Sequence, residues 1–384
     1  MTGASSTIPQ ADPGAGVRAY RDEIAAAIAE VVDSGCYLLG PQVQAFELAF
    51  ARYLRGPSTS SLECVAVATG TDALELCLRA CGAGEGDVVV TVSHTASATV
   101  AAIRRCGAVP AFVDIERDTM VLDSQALESL LDSWPAGQPR PRAVVPVHLY
   151  GHPCDMEAIV TVARRHGLAV VEDCAQAHGA LLADRHVGTF GDAAAFSFYP
   201  TKNLPAMGDA GAVATDSGEL ADRVRCLRQY GWRTRFVSDE DGTNSRMDEL
   251  QAAVLNVMLR HLPDDVGARR DVAAAYGRAL ASSDLVLPGE RAGTRHAWHQ
   301  YVVRSGRRDQ LAAELAKAAI ATAVHYPVPA HRQPAFARFA RDATLPVTDE
   351  TAATVLSLPI YPQLGSERVE RVAGALQAAL ASAS

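Results

Sequence analysis

Lys202 lies in Ser197-Phe198-Tyr199-Pro200-Thr201-Lys202-Asn203-Leu204, directly after the apolar run Ala193-Ala194-Ala195-Phe196. A lysine that follows a short apolar strand and a hydroxyl-bearing turn is placed to hold an aldehyde through its amine. A second apolar run, Val170-Val171, ends on Glu172-Asp173-Cys174-Ala175-Gln176, which sets a carboxylate at a strand end 29 residues before the lysine (173 to 202). Pyridoxal phosphate chemistry needs this pair. The carboxylate keeps a pyridine nitrogen protonated so that the ring can draw electrons from a carbanion, and the lysine holds the aldehyde and then shuttles the proton.

Other residues gather around that pair. Thr69-Gly70-Thr71-Asp72 joins a strand to a helix. Gly70 permits close backbone approach, and the free amides of the helix start can bind a phosphate together with the Thr71 hydroxyl and Ser197. His94, in Ser93-His94-Thr95-Ala96, follows a strand end and is the candidate to lie over a cofactor ring, or else a loop histidine facing solvent. Asp173 would pair with the ring nitrogen and Gln176 would reach the phenolic oxygen. Asn244, before Ser245-Arg246-Met247-Asp248-Glu249, reads on its own as a cap or turn residue. The loop His325-Tyr326-Pro327-Val328-Pro329-Ala330-His331 is a candidate substrate wall or a rigid surface loop. Its histidines at i and i+6 do not share a helix face, so no metal site is expected.

Positioning these groups falls to alternating elements. Val/Ile/Ala-rich runs at 65–68, 88–92, 110–114, 143–147, 168–172, 193–198 and 211–215 are separated by helical patterns. This predicts an α/β fold with a mostly parallel sheet between helices, its ligands at the carboxyl ends of the strands. Residues 1–16 read as a loose Pro/Gly/Ser-rich segment, 17–255 as a large cofactor-binding domain and 256–384 as a smaller α+β domain. Helices are expected over 17–34, 42–54, about 246–262 (stopping near Pro263) and 265–282. Short strands are expected at about 297–303 and 321–326, followed by terminal helices.

Composition narrows the class. A net charge of −9 without a dense Lys/Arg run argues against nucleic acid or an anionic membrane as partner. Hydrophobic residues make up 48% and charged residues 21%, as in a globular protein with two domains' worth of core. No apolar stretch reaches the ~18 residues of a membrane span. The eight cysteines form no CxxC, which suits buried reduced thiols. The first residues show no basic segment followed by an apolar run, so no secretory signal is expected and the location read is cytoplasmic.

Taken together, these stretches resemble the DegT/DnrJ/StrS family of pyridoxal-phosphate-dependent sugar aminotransferases. The resemblance runs from Gly35-Cys36-Tyr37-Leu38-Leu39-Gly40-Pro41 through Val147-His148-Leu149-Tyr150-Gly151 and the Asp173, Lys202 and Asn244 motifs to His325-Tyr326-Pro327. It implies a fold-type-I architecture and a homodimer with shared active sites. Lys202 is then the Schiff-base lysine, Asp173 the pyridinium partner and Gln176 the O3′ contact. Gly70, Thr71 and Ser197 hold the phosphate, and Asn244 reaches it from the neighbouring subunit. Tyr37, His325 and Tyr326 fall where relatives line the sugar pocket. Three positions depart from the family pattern: Ala96 stands where relatives carry an aromatic ring over the cofactor, with His94 as its substitute, and Pro205 and Ala210 replace glycines. The implied reaction moves an amino group from an amino acid, with L-glutamate the expected donor, to a nucleotide-linked keto sugar through PLP and its amine form, PMP. The alternatives are a ketocyclitol or aminoshikimate-type (3-amino-5-hydroxybenzoate-like) acceptor and, outside catalysis, a family member acting as a partner protein.

Overall fold

The computed structural model describes residues 7–57, 61–340 and 343–381. Its centre is a seven-stranded sheet made of β1 (Glu63–Val67), β2 (Val88–Val92), β3 (Val109–Val113), β4 (Pro141–Val145), β5 (Ala169–Asp173), β6 (Ala193–Ser197) and β7 (Gly211–Thr215), in the order β1-β7-β6-β5-β4-β2-β3. All seven expected strands are present, each within two residues of the range read from sequence. β2 shows why they were legible: Val88-Val89-Val90-Thr91-Val92 is buried throughout, as a strand covered by helices on both faces must be.

Only β7 runs against the rest, pairing antiparallel with β6 and β1, while the other neighbours pair in parallel. The chain therefore leaves β6, turns through residues 198–210 and comes back along β7. Lys202 sits in that turn, which is closed by Phe198 N–H donating to the Ala210 carbonyl at 2.9 Å and Lys202 N–H to the Tyr199 carbonyl at 2.8 Å. The carboxyl ends of β1, β2, β5 and β6 consequently meet on the same side of the sheet, with Gly70, Ala96, Asp173 and Ser197 at or just past them.

The C-terminal region has its own core. β8 (Tyr301–Arg304) pairs antiparallel with β9 (Val355–Leu358) under the helices Arg308–Lys317 and Ser366–Ala381, around Val303, Leu311, Leu315, Leu356 and Leu376. The strand expected at 321–326 is instead a loop with one isolated bridge, Ala323 to Ser357. Its place is taken by β9, whose four residues are all buried.

Three further expectations need correction. Residues 7–16 are held rather than loose. Ile8 is buried and bridges Ile320, and Pro13–Ala19 is helical, started by Asp12 accepting from Ala15 N–H at 3.0 Å. Residues 1–6 lie outside the described residues. The helix expected over 17–34 breaks at Tyr20, whose ring stacks on His261 at 3.7 Å and whose hydroxyl donates to Asp265 at 3.1 Å. Lastly, Pro263 does not end its helix. Glu249–Leu280 is continuous through it and across residue 256. Proline inside a helix costs ~3 kcal/mol. Leu259 and Leu262 before it and Val266, Val272 and Tyr276 after it are all buried, and each such side chain contributes about 1.5–3 kcal/mol, so packing outweighs the break.

Candidate active site

At the carboxyl edge of the sheet lies a cavity of about 240 Å³ that brings together Gly70, Thr71, Asp173, Gln176, Ser197 and Lys202. One end is a helix start. Thr69 caps the helix Gly70–Ala80, its Oγ1 accepting from Asp72 N–H at 3.0 Å and its carbonyl from Ala73 N–H at 3.0 Å. The Gly70 and Thr71 amides have no partner among the hydrogen bonds of the described residues, so two donors and the positive end of the helix face the cavity. Only glycine fits at position 70: a Cβ there would lie 2.4 Å from the Ser197 Cβ. That close approach sets the Ser197 hydroxyl beside the free amides, a cradle suited to a phosphate.

Lys202 and Asp173 face the same space. Lys202 is half-buried as a residue with its amine enclosed, and burial brings the amine down from 10.5 to about 8, against the pull of Asp173. Asp173 ends β5 as a buried carboxylate. Its Oδ2 accepts from Thr99 Oγ1 at 2.8 Å and its Oδ1 from Ala175 N–H at 3.1 Å. Burial pushes this carboxyl above its ordinary value despite those bonds and the Lys202 charge. No ion pair involves it among the described residues, so a protonated ring nitrogen would meet an otherwise uncompensated carboxylate. Beside them, Gln176 Oε1 accepts from Tyr150 N–H at 2.7 Å and Gln176 Nε2 donates to Tyr326 Oη at 3.1 Å.

Five other candidates lie off the cavity wall. His94 is fully buried behind it, with Nε2 2.7 Å from Tyr150 Oη and its ring edge-on to Tyr150. It does not cover a cofactor ring, because the strand end turns its side chain into the protein, while Thr95 and Ala96 line the cavity there. His325 bonds Ser357 Oγ through Nδ1 at 2.8 Å, and its carbonyl accepts from Tyr150 Oη. Asn244 and Tyr37 are exposed outside the cavity of their own chain; Tyr37 is 56% accessible. Tyr326 is half-buried beside Gln176, with its hydroxyl enclosed and pushed up to about 12 by that burial. Pro205 and Ala210 take ordinary backbone, since neither has positive φ.

Sequence reasoning assigned no role to Thr99, which bonds Asp173, or to Tyr150, which bonds Gln176. Thr99 lies one helical turn after Thr95, whose hydroxyl it meets at 2.8 Å, and that spacing was the available signal. His148, Glu172 and Cys174 cluster behind the site. Glu172 accepts from His148 Nε2 and from the amides of Gly188, Phe190 and Gly191, and His148 Nδ1 accepts from Cys154 N–H, so both side chains already have protein partners.

A phosphate cradle, an enclosed amine and an unpaired buried carboxylate within one cavity fit pyridoxal phosphate. Comparisons with known proteins agree. Residues 18–377 match the model of the DegT/DnrJ/EryC1/StrS aminotransferase family. The chain is 45% identical over 372 residues to the dTDP-3-amino-3,4,6-trideoxy-alpha-D-glucose transaminase of Streptomyces venezuelae, covering 96% of this chain and 95% of that one. It is 44% identical over 374 residues to the erythromycin biosynthesis sensory transduction protein EryC1 of Saccharopolyspora erythraea, covering 97% and 99%. Among solved structures, S. venezuelae DesV in complex with a ketimine intermediate superposes with a TM-score of 0.92 at 45% identity, over 97% of this chain and 98% of that one. The chain belongs to the DegT/DnrJ/EryC1/StrS aminotransferase family. It is a pyridoxal-phosphate-dependent aminotransferase. Among the described residues, no helix is long and apolar enough to cross a membrane.

Proposed function

We propose that this enzyme transfers an amino group from an amino acid, with L-glutamate as donor, to a nucleotide-linked keto-deoxysugar in secondary-metabolite or glycan sugar biosynthesis. It works as a cytoplasmic homodimer with shared active sites. One observation carries the acceptor class: the end-to-end likeness, at 45% identity, to a transaminase named for a dTDP-linked aminodeoxysugar. When bound, pyridoxal phosphate supplies the aldehyde that takes up the amino group and the ring that delocalises carbanion charge.

The chain's own groups do the rest. The Gly70 and Thr71 amides, the Thr71 hydroxyl and Ser197 Oγ hold the phosphate, joined by Asn244 from the second subunit. Asp173 keeps a proton on the ring nitrogen through its carboxylate, which Thr99 orients. Lys202 Nζ holds the cofactor at rest and, once free, takes the α-proton of the donor and returns one to the acceptor carbon. An amine near 8 is substantially neutral at mildly alkaline pH, as a base must be. Gln176 offers Nε2–H to the phenolic oxygen. Tyr37, His325 and Tyr326 line the sugar side.

To test this, the protein carrying the amine form of the cofactor is mixed with dTDP-linked 3-keto and 4-keto deoxysugars, ketocyclitols and aminoshikimate-type precursors, and the absorbance of the aldehyde form is followed. Return of the aldehyde form with a nucleotide-linked keto sugar alone is expected. Return with a cyclitol or aminoshikimate precursor alone would move the assignment to that class, and no return with any acceptor would favour a non-catalytic partner protein.

A further inference from the structure

We infer that Tyr150 and His94 are positioning residues, whose hydrogen bonds fix Gln176 on the cavity wall and the His325-Tyr326 loop packed behind it. Tyr150 Oη touches two groups, His94 Nε2 and the His325 carbonyl. A carbonyl can only accept, so the hydroxyl proton points to His325, and Tyr150 Oη accepts from His94 Nε2–H. The order of donors is therefore His94 to Tyr150 to His325. It also fixes the imidazole as the neutral Nε2–H tautomer. Its Nδ1 is a buried lone pair with no partner among the described residues, and protonation there would bury both a charge and an unmatched N–H. Burial brings this imidazole down to about 4.

The main chain of the same residue closes the circuit. Tyr150 has left-handed backbone, φ 61, an uncommon conformation for a non-glycine residue. Gly151 follows at φ 98, where a Cβ would meet the Gln176 carbonyl and the Trp298 and His299 amides, each at 3.1 Å. This bend aims Tyr150 N–H at Gln176 Oε1. The amide oxygen of Gln176 is thereby oriented, and Nε2 is left to donate to Tyr326 Oη and into the cavity. One residue thus grips the Gln176 side chain with its amide and the loop at His325 with its hydroxyl. A second strap runs nearby. Ala330 N–H donates to the Ser93 carbonyl at 2.9 Å, and Ser93 Oγ lies 2.7 Å from His331 Nδ1. The loop is thus bound to the end of β2 at two points, and His94 supports the one nearer the cavity.

The role of this wall at the substrate rests on the function proposed above, so the deciding measurement is made without cofactor or substrate. In the apo protein, ¹⁵N NMR of labelled histidines should show His94 as the Nε2–H tautomer, unchanged between pH 5 and 9. In Tyr150→Phe, amide hydrogen exchange over residues 323–328 should quicken roughly tenfold, the loss of about one buried hydrogen bond. His94→Gln, which keeps a donor, should exchange close to wild type, and His94→Leu should exchange like Tyr150→Phe. In the loaded enzyme, Tyr150→Phe should raise KM for the keto acceptor severalfold while changing kcat for the amino-donor half-reaction less than about twofold. An Nδ1–H tautomer for His94, or wild-type exchange over 323–328 in both Tyr150→Phe and His94→Leu, overturns the inference. If Tyr150→Phe does not fold, the two His94 variants decide it alone. Absence of amino transfer to any sugar, with the exchange result as expected, would count against the proposed function and leave the positioning role standing.

Discussion

The floor of the cavity comes from the ends of parallel strands, whereas its outer wall is held by side chains reaching across from a loop 150 residues away in sequence, through Gln176 and Tyr326. Floor residues are placed by the backbone. Asp173 ends β5, Ser197 ends β6, and Gly70 touches Ser197 so closely that no side chain fits between them. Wall residues are placed by individual hydrogen bonds, each contributing about 0.5–1.5 kcal/mol. Chemistry is thus built on the rigid part and grip on the adjustable part. Substitutions in the floor should remove the reaction, and substitutions in the wall should shift affinity.

The sharpest way to break this contrast is Lys202→Ala. It should cut turnover more than about a thousandfold in a folded protein, because it removes both the covalent hold and the proton carrier. Retention of a tenth of wild-type turnover would overturn the assignment. Asp173→Asn should lower turnover about a hundredfold or more while cofactor still binds, as a neutral amide no longer holds the ring proton. Wild-type turnover would mean that another group stabilises the carbanion.

Asn244 belongs to neither part of its own chain's cavity, so its test is complementation. A Lys202→Ala chain mixed with an Asn244→Ala chain gives heterodimers in which one site carries both lesions and the other carries neither. Activity should exceed that of either mutant homodimer. No gain, with heterodimers confirmed, would leave Asn244 a structural role.

A pH measurement sharpens the floor further. Burial lowers the Lys202 amine, so the folded apo protein gives up this proton at about pH 8, where an unfolded lysine would retain it to about 10.5. Selective acylation of Lys202 should rise with a midpoint near 8, and a midpoint near 10 would show an exposed amine. Last and smallest, Ala96→Phe should tighten cofactor retention severalfold. His94 is turned away, and stacking contributes about 0.5–1.5 kcal/mol beyond burial. Weaker retention would mean that the space above the ring is already filled.

What sequence disclosed follows the same division. Strands such as Val88–Val92 are legible because burial on both faces leaves an unbroken apolar run. Gly70, Asp173, Ser197 and Lys202 were legible because each sits beside such a run. The remainder depends on contacts distant in sequence. Ile8 is ordered by Ile320, and the break at Tyr20 is set by His261 and Asp265. His94 looked like a cavity residue, but nothing local reveals that Tyr150 draws its ring inward. Tyr150 stood within the His148–Gly151 stretch without a role, because its partners lie 26 and 175 residues away.

The continuous helix Glu249–Leu280 carries a consequence for engineering. At 1.5 Å per residue its 32 residues make a strut of about 48 Å that begins in the core beside the central sheet and ends in the C-terminal core. Chimeras that exchange acceptor-side regions between relatives would sever this strut if joined near residue 256, splitting its buried face between the two parents. Joining them in the turn after Leu280 keeps it whole. Crossovers there should yield soluble hybrids, and crossovers at mid-helix should yield aggregates.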